Sequence, residues 1–368
     1  MTLEHSHAAF GGGFRIQLER GYPRAALLAL SPDGTKAALA VSGQPSDIFR
    51  FRRGKWASGA DKLAPDLLRV IELATGSVVY EAAFRARVFP ASFFGDGLRI
   101  YAETVAFNDK GRTVHQCAVI NLSTGERQDQ FIPVDLERTT SVDALQDDLL
   151  LVQVGNGTIN RSISFAEVAW PKIETKFQVE YATTVRESNG HDFEKYLSAD
   201  RGTLVYAFDH TIVCRRTKDL KVLWTGEVRS EYFGAWRLGV SANGRYVAAA
   251  VTDSPFSNKE KRFYVAVYDG RNGQGVVRLP ITGTDGVAIS PDGKLLAVAH
   301  VVFDKRGAVP TVFLHDVETG DRVATVEHEP VVNNAFMNAS FGTHGLAFSA
   351  GGRHLVTSTN DTRVWSLT

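Results

Sequence analysis

A chain of 368 residues exceeds one small domain, and 44% hydrophobic with 22% charged residues describes a folded protein with a large apolar core, which excludes a disordered chain. Lys plus Arg and Asp plus Glu balance at 41 each, which argues against wholesale wrapping of nucleic acid and leaves only a local basic patch open. Two cysteines, Cys117 and Cys214, form neither a disulfide framework nor a metal-ligand spacing, and no apolar run approaches the ~20 residues that span a bilayer.

Residues 1–13 read as a flexible arm. Met1–His7 has neither the positive flank nor the apolar stretch of a signal peptide. A cytoplasmic protein is expected if this start is native, and an exported one if a signal peptide has been removed. Phe14–Leu18 follows as an alternating strand with no unit of its own. A repeat then begins with the turn Ser31-Pro32-Asp33-Gly34. Copies follow at Gly95-Asp96-Gly97, Gln146-Asp147-Asp148, Ser198-Ala199-Asp200-Arg201-Gly202, Ser241-Ala242-Asn243-Gly244, Ser290-Pro291-Asp292-Gly293 and Ser349-Ala350-Gly351-Gly352. Pro presets φ at the first central position, and Asp, Asn or Gly tolerates the left-handed conformation that closes the hairpin. After each turn comes a short strand rich in Val, Leu, Tyr and Ala: Lys36–Val41, Leu98–Ala102, Leu149–Val154, Thr203–Phe208, Tyr246–Val251, Leu295–Val301 and His354–Ser358.

A second turn recurs further along each unit, at Ala74-Thr75-Gly76, Ser123-Thr124-Gly125, Arg271-Asn272-Gly273 and Glu318-Thr319-Gly320, with Thr217-Lys218-Asp219 as a degenerate copy. Two hairpins make four strands per unit, which is the signature of a β-propeller blade. The unit from Thr139 to Tyr181 is irregular and shows no second turn, so six to eight blades stay open, with seven favoured. The seventh unit stops at Arg363–Leu367, after its third strand. Phe14–Leu18 is expected to supply the missing fourth strand and remove the exposed edge, making residues 1–368 one all-β, closed propeller domain.

The slots before the second turns read Ile71-Glu72, Ile120-Asn121, Tyr268-Asp269 and His315-Asp316, with Trp365-Ser366 in the last unit. In these positions the chain resembles the WD40 and WD40-like propellers, over nearly its whole length. The resemblance implies a partner-holding scaffold and, within a blade, a polar tetrad of His, Ser or Thr, Asp and Trp. Asp361 and Trp365 match two members structurally, and Thr357 or Ser358 is the third. His344 lies too close to the following turn to be the histidine, so the lock is expected to be incomplete.

Local catalytic motifs are missing: no Gly-x-Ser-x-Gly elbow, Walker A loop, Gly-x-Gly-x-x-Gly, His-Glu-x-x-His or Cys-x-x-Cys occurs. No nucleophile, base and orienting group are expected within hydrogen-bond reach of one another, and no cofactor or metal is implied. Glu327-His328-Glu329 reads as a solvated charged loop, since one segment supplies too few ligands for zinc.

In a four-stranded blade the first and second turns share one face. The longer connections, Ser42–Asp66, Phe107–Thr113, Thr252–Lys261 and Val302–Ala308, project from the other. The candidate partner-binding residues lie on them: Arg50, Phe51, Arg52, Arg53 and Trp56, then Lys259, Lys261 and Arg262, then Lys305 and Arg306. Aromatic and Arg residues side by side suit contact hot spots. The leading expectation is a non-catalytic scaffold for a protein or peptide partner, acidic in character, with no membrane association and nucleic acid disfavoured. A small-molecule enzyme with an axial, lactonase-like site is the alternative, and a polyanion binder the weaker one. Oligomeric state is left open.

Overall fold

The computed structural model describes residues 10–16, 24–42, 66–84, 87–107, 113–131, 139–145, 149–155, 162–169, 174–182, 194–208, 211–227, 237–252, 263–281, 284, 286–330, 345–359 and 361–367. The chain starts with β1 (Phe10–Arg15) and then runs through consecutive antiparallel meanders. The first contains β2 (Arg24–Leu30), β3 (Lys36–Ser42), β4 (Asp66–Glu72) and β5 (Val78–Phe84). The second contains β6 (Arg87–Phe93), β7 (Arg99–Phe107), β8 (Thr113–Asn121) and β9 (Arg127–Phe131). The third is β10 (Thr139–Ala144), β11 (Leu149–Gly155), β12 (Ser162–Ala169) and β13 (Glu174–Ala182). The fourth is β14 (Glu194–Leu197), β15 (Thr203–Phe208), β16 (Thr211–Arg216) and β17 (Val222–Glu227). The fifth comprises β18 (Arg237–Val240), β19 (Tyr246–Thr252), β20 (Phe263–Asp269) and β21 (Gly275–Ile281). The sixth comprises β22 (Gly286–Ile289), β23 (Leu295–Asp304), β24 (Gly307–Asp316) and β25 (Arg322–Glu327). The last sheet holds β26 (Leu346–Phe348), β27 (His354–Ser358) and β28 (Thr362–Leu367), with β1 beyond β28.

Among the described residues the strands form seven four-stranded sheets, in an all-β propeller. The N-terminal strand does pair with β28, but from Phe10 opposite Leu367 to Arg15 opposite Arg363. It therefore starts four residues earlier than Phe14, and residues 10–13 belong to the sheet instead of a flexible arm. Gln17 and Leu18 lie outside the described residues. The third unit places its second turn between β12 and β13, at residues 170–173, also outside them.

The recurring serine explains the first turn better than the proline. Ser31 Oγ donates to Asp33 Oδ1 at 2.5 Å and accepts from Lys36 N at 2.8 Å, while Asp33 Oδ1 also accepts from Thr35 N. Ser198, Ser241, Ser290 and Ser349 each accept from the backbone N–H five residues on in the same way. All five are buried, so each hydroxyl satisfies an amide that would otherwise be stranded.

Burial follows position in the blade. β4 is buried on both faces because the neighbouring sheets cover it, whereas β5 on the rim is largely exposed. Apolar seams join consecutive sheets: Leu39, Leu67 and Ile71 meet Val356 and Val364 of the last sheet, and Leu68 and Val70 meet Phe93 and Ile100 of the second. Similar seams join the third to the fourth, the fourth to the fifth, the fifth to the sixth and the sixth to the last. Between the second and third, Ala144 N donates to Ser92 Oγ at 3.0 Å.

The rim is protected by bulges. In the first, fourth, fifth and sixth sheets the outer strand carries one extra residue, namely Val79, Leu223, Val276 and Val323. Each of these side chains is exposed. A bulge at that point twists an edge strand away from flat pairing with another chain. The third sheet has the same one-residue shift, between Thr175 and Phe177, and the second stays in register there.

One connection differs from expectation. Val302–Ala308 is not a long loop: β23 and β24 remain paired to Asp304 opposite Gly307, and only Lys305 and Arg306 turn the corner. Alternation explains this, since Val301 and Ala308 make a small buried cluster of their own.

Candidate interaction face

The two faces of the disc are built differently. On the face carrying the first and second turns, neighbouring turns are bonded to one another. Gly95 N donates to Leu145 O at 3.1 Å, and Asp200 N to Ala242 O at 2.9 Å. Arg201 Nη2 reaches past the third sheet to Phe93 O at 2.9 Å. The opposite face takes the ends of the long segments 43–65, 253–262 and 331–344.

Of the residues proposed to bind a partner, Arg50, Phe51, Arg52, Arg53, Trp56, Lys259, Lys261 and Arg262 lie outside the described residues. Lys305 and Arg306 form the tip of the β23–β24 hairpin, on the expected face, with Phe303 beside them 65% exposed. Arg306 is not a spare cation: it pairs with Asp304 at 2.6 Å and with Glu327 at 2.8 Å. Nearby, Arg363 pairs with Glu329 at 3.2 Å and Asp361 at 3.0 Å, and Arg15 with Asp361 at 3.1 Å. Over the last two blades, then, cations and carboxylates alternate in partnered sets. Lys305, exposed at the hairpin tip, stands outside these pairs.

Beneath those charges lies a complete polar tetrad, contrary to the incomplete lock expected. Its histidine is His328, which is buried and is not a solvated loop residue. His328 Nδ1 lies 2.7 Å from Asp361 Oδ1, His328 Nε2 lies 2.7 Å from Thr357 Oγ1, and Trp365 Nε1 donates to Thr357 Oγ1 at 2.9 Å. One tautomer satisfies the set: Trp365 N–H donates to Thr357, the Thr357 hydroxyl donates to Nε2, and Nδ1–H donates to Asp361. Thr357, and not Ser358, is thus the third member; Ser358 Oγ instead donates to Ala25 O across the seam to the first sheet. No local spacing announces His328, because residues 331–344 separate it from its partners. In the structure it extends the ladder beyond β25, its N–H donating to Pro310 O at 2.9 Å.

By distance alone Asp361, His328 and Thr357 form an orienting acid, a base and a hydroxyl within reach of one another, a set that was expected to be missing. Burial decides against nucleophilic work. Thr357 is 0% exposed and its oxygen already receives the Trp365 N–H, so no substrate atom can approach it. Asp361 titrates well below the usual carboxylate range: burial alone would raise it, but the hydrogen bond from His328, then the hydrogen bond and charge of Arg363, outweigh that. Burial pushes the thiols of Cys117 and Cys214 up to about 12, so neither is a reactive thiolate. Among the described residues no three His, Cys, Asp or Glu side chains are placed to hold a metal ion, and no helix is long and apolar enough to cross a membrane.

No protein-family model matches this sequence, and no curated protein matches it in sequence. In fold it is similar to a chain of the crystal structure of the mitotic checkpoint complex, with a TM-score of 0.55 at 10% identity, covering 99% of this chain and 93% of that one. That likeness speaks to the fold. Together with the four-stranded sheets and the tetrad, it fits a WD40-like propeller.

Proposed function

We propose that this chain is a non-catalytic scaffold of the WD40 kind that holds a protein or peptide partner on the face bearing the long connections. The observation that carries the reading is the contrast between the faces. On one, short turns are bonded to one another; on the other, the strands that lead into the long segments end, and a locked, buried tetrad lies in the last blade. A rigid frame presenting variable loops is where binding function concentrates. Phe303 at the hairpin tip, and Phe51 and Trp56 among Arg50, Arg52 and Arg53, supply the aromatic and Arg composition of contact hot spots. The preference for an acidic partner rests on the segments 50–56 and 259–262, since Arg306 is already partnered.

The test is capture by the full chain, with the partners identified and their affinities measured. Replacing Arg52, Arg53 and Trp56 together by Ala, or Phe303 alone, should weaken the partner by about tenfold or more. Leu98→Ala, a half-exposed apolar residue on the turn face, should leave affinity unchanged. If both loop-face variants keep every interactor at wild-type affinity, the binding face lies elsewhere.

A further inference from the structure

Asp361 joins three segments far apart in the chain. Its Oδ1 receives His328 at 2.7 Å from the end of β25, and the Thr359 hydroxyl at 3.4 Å. Its Oδ2 faces Arg363 of β28 at 3.0 Å and Arg15 of β1 at 3.1 Å. The carboxylate is 9% exposed, so solvent screens these interactions less than it would on an open surface. The other carboxylate close by, Glu329, is engaged by Arg363.

The strand that Arg15 belongs to has little else at its first half. Phe10-Gly11-Gly12-Gly13 contains three glycines, and its register slips between Phe10 and Gly12. A strand of this composition packs weakly and specifies its register poorly. Its hold is concentrated in Phe14 against Gly76, Arg15 on Asp361, and buried Ile16, whose N–H donates to Thr362 O at 3.0 Å.

We propose that Asp361 is a latch that couples docking of the closing strand to the polar lock of the last blade. Arg15 and His328 grip opposite oxygens of one carboxylate, so each holds it in the orientation the other requires. When β1 lifts, Asp361 Oδ2 keeps Arg363 but loses Arg15, one of the two guanidiniums that orient it; when His328 is removed, Arg15 loses its fixed partner. The coupling is independent of what binds the loop face.

The experiment is a double-mutant cycle on the full chain between Arg15→Ala and His328→Gln. It reads hydrogen exchange of the Trp365 indole N–H, which reports the lock, and of the β1 amides. Arg15 is 56% exposed, so its pair is of modest strength, and Arg15→Ala should speed both sets by about threefold; His328→Gln, which also removes the bond to Thr357, should speed the indole more. The double variant should exchange no faster than the faster single variant, because both act through one carboxylate. Effects that multiply overturn the latch. Should His328→Gln fail to fold, Arg15→Ala against Arg15→Lys decides: indole exchange must rise with Ala and return with Lys. An unchanged indole rate in Arg15→Ala while the β1 amides loosen equally overturns it.

Discussion

Gly76 and Gly125 occupy the same place in successive blades with the same φ of +73°, yet they face different surroundings. A Cβ on Gly76 would lie 2.7 Å from the Phe14 ring, whereas one on Gly125 would meet nothing within 4 Å. Gly125→Ala should therefore cost only the left-handed strain, about 1–2 kcal/mol. Gly76→Ala should cost clearly more, because it also pushes Phe14 out of its seat. Equilibrium urea unfolding of the two variants checks this, and equal losses would mean Phe14 does not pack there. The seat recurs: Trp224 lies against Gly273 and Leu279 against Gly320. Each is a side chain of one sheet's outer strand resting on the second turn of the next. Such glycines are legible in sequence as turn formers, but their second role is not, because it depends on a residue of another blade. His328 was missed for the same reason: its meaning is set by Thr357, Asp361 and Trp365, none of which is its neighbour in sequence.

At the scale of the element, the first turns carry a pH dependence whose sign follows from their hydrogen bonds. Burial alone would raise Asp33, but its bonds from Ser31 and Thr35 outweigh this and leave it lowered. For Asp292 the corresponding bonds come from Ser290 and Lys294 N, with the same result. A carboxylate titrating lower in the folded chain than in the unfolded one adds stability above its unfolded pKa, near 4, and loses it as pH falls through the folded value. Stability should thus begin to fall below about pH 4. Asp33→Asn and Asp292→Asn should flatten this acid limb without undoing the turn. The fifth blade shows why: Asn243 already fills the position, its Oδ1 taking Ser241 Oγ at 2.9 Å and Arg245 N at 3.0 Å. Urea midpoints measured between pH 3 and 7 decide it; an unaltered acid limb in the double variant would place the titrating groups elsewhere. These turns were readable because their chemistry is contained in five or six consecutive residues. The β23–β24 hairpin was not: polar Asp304, Lys305 and Arg306 look like loop, and the pairing of Val302 with Val309 that keeps them in a ladder spans the turn.

For the molecule as a whole the repeat made the architecture legible, and the chain's two incomplete ends indicated how it is finished. What sequence left uncertain was how firmly the ends are joined. Across that junction β1 covers the edge of β28, Phe14 sits on the second turn of the first blade, Ile16 enters the seam with Ala25 and Leu27, and Ser358 bonds the first sheet. A linear array of repeats loses stability roughly unit by unit when one end is trimmed. A disc in which the last and first sheets share a seam should respond differently, because the removed strand belongs to both. Deleting residues 1–16 takes away buried Ile16, a side chain of a kind that contributes about 1.5–3 kcal/mol, together with half-buried Phe14, and bares the backbone edge of β28. The expectation is a single cooperative transition shifted to markedly lower temperature, with the Trp365 indole N–H resonance and far-ultraviolet circular dichroism moving together. A truncated chain that melts at the unaltered temperature would show that β1 is an ornament on the rim. One that loses the Trp365 signal first, while the strands of the fourth and fifth sheets hold, would show that the ends are joined but the disc unfolds as an open stack.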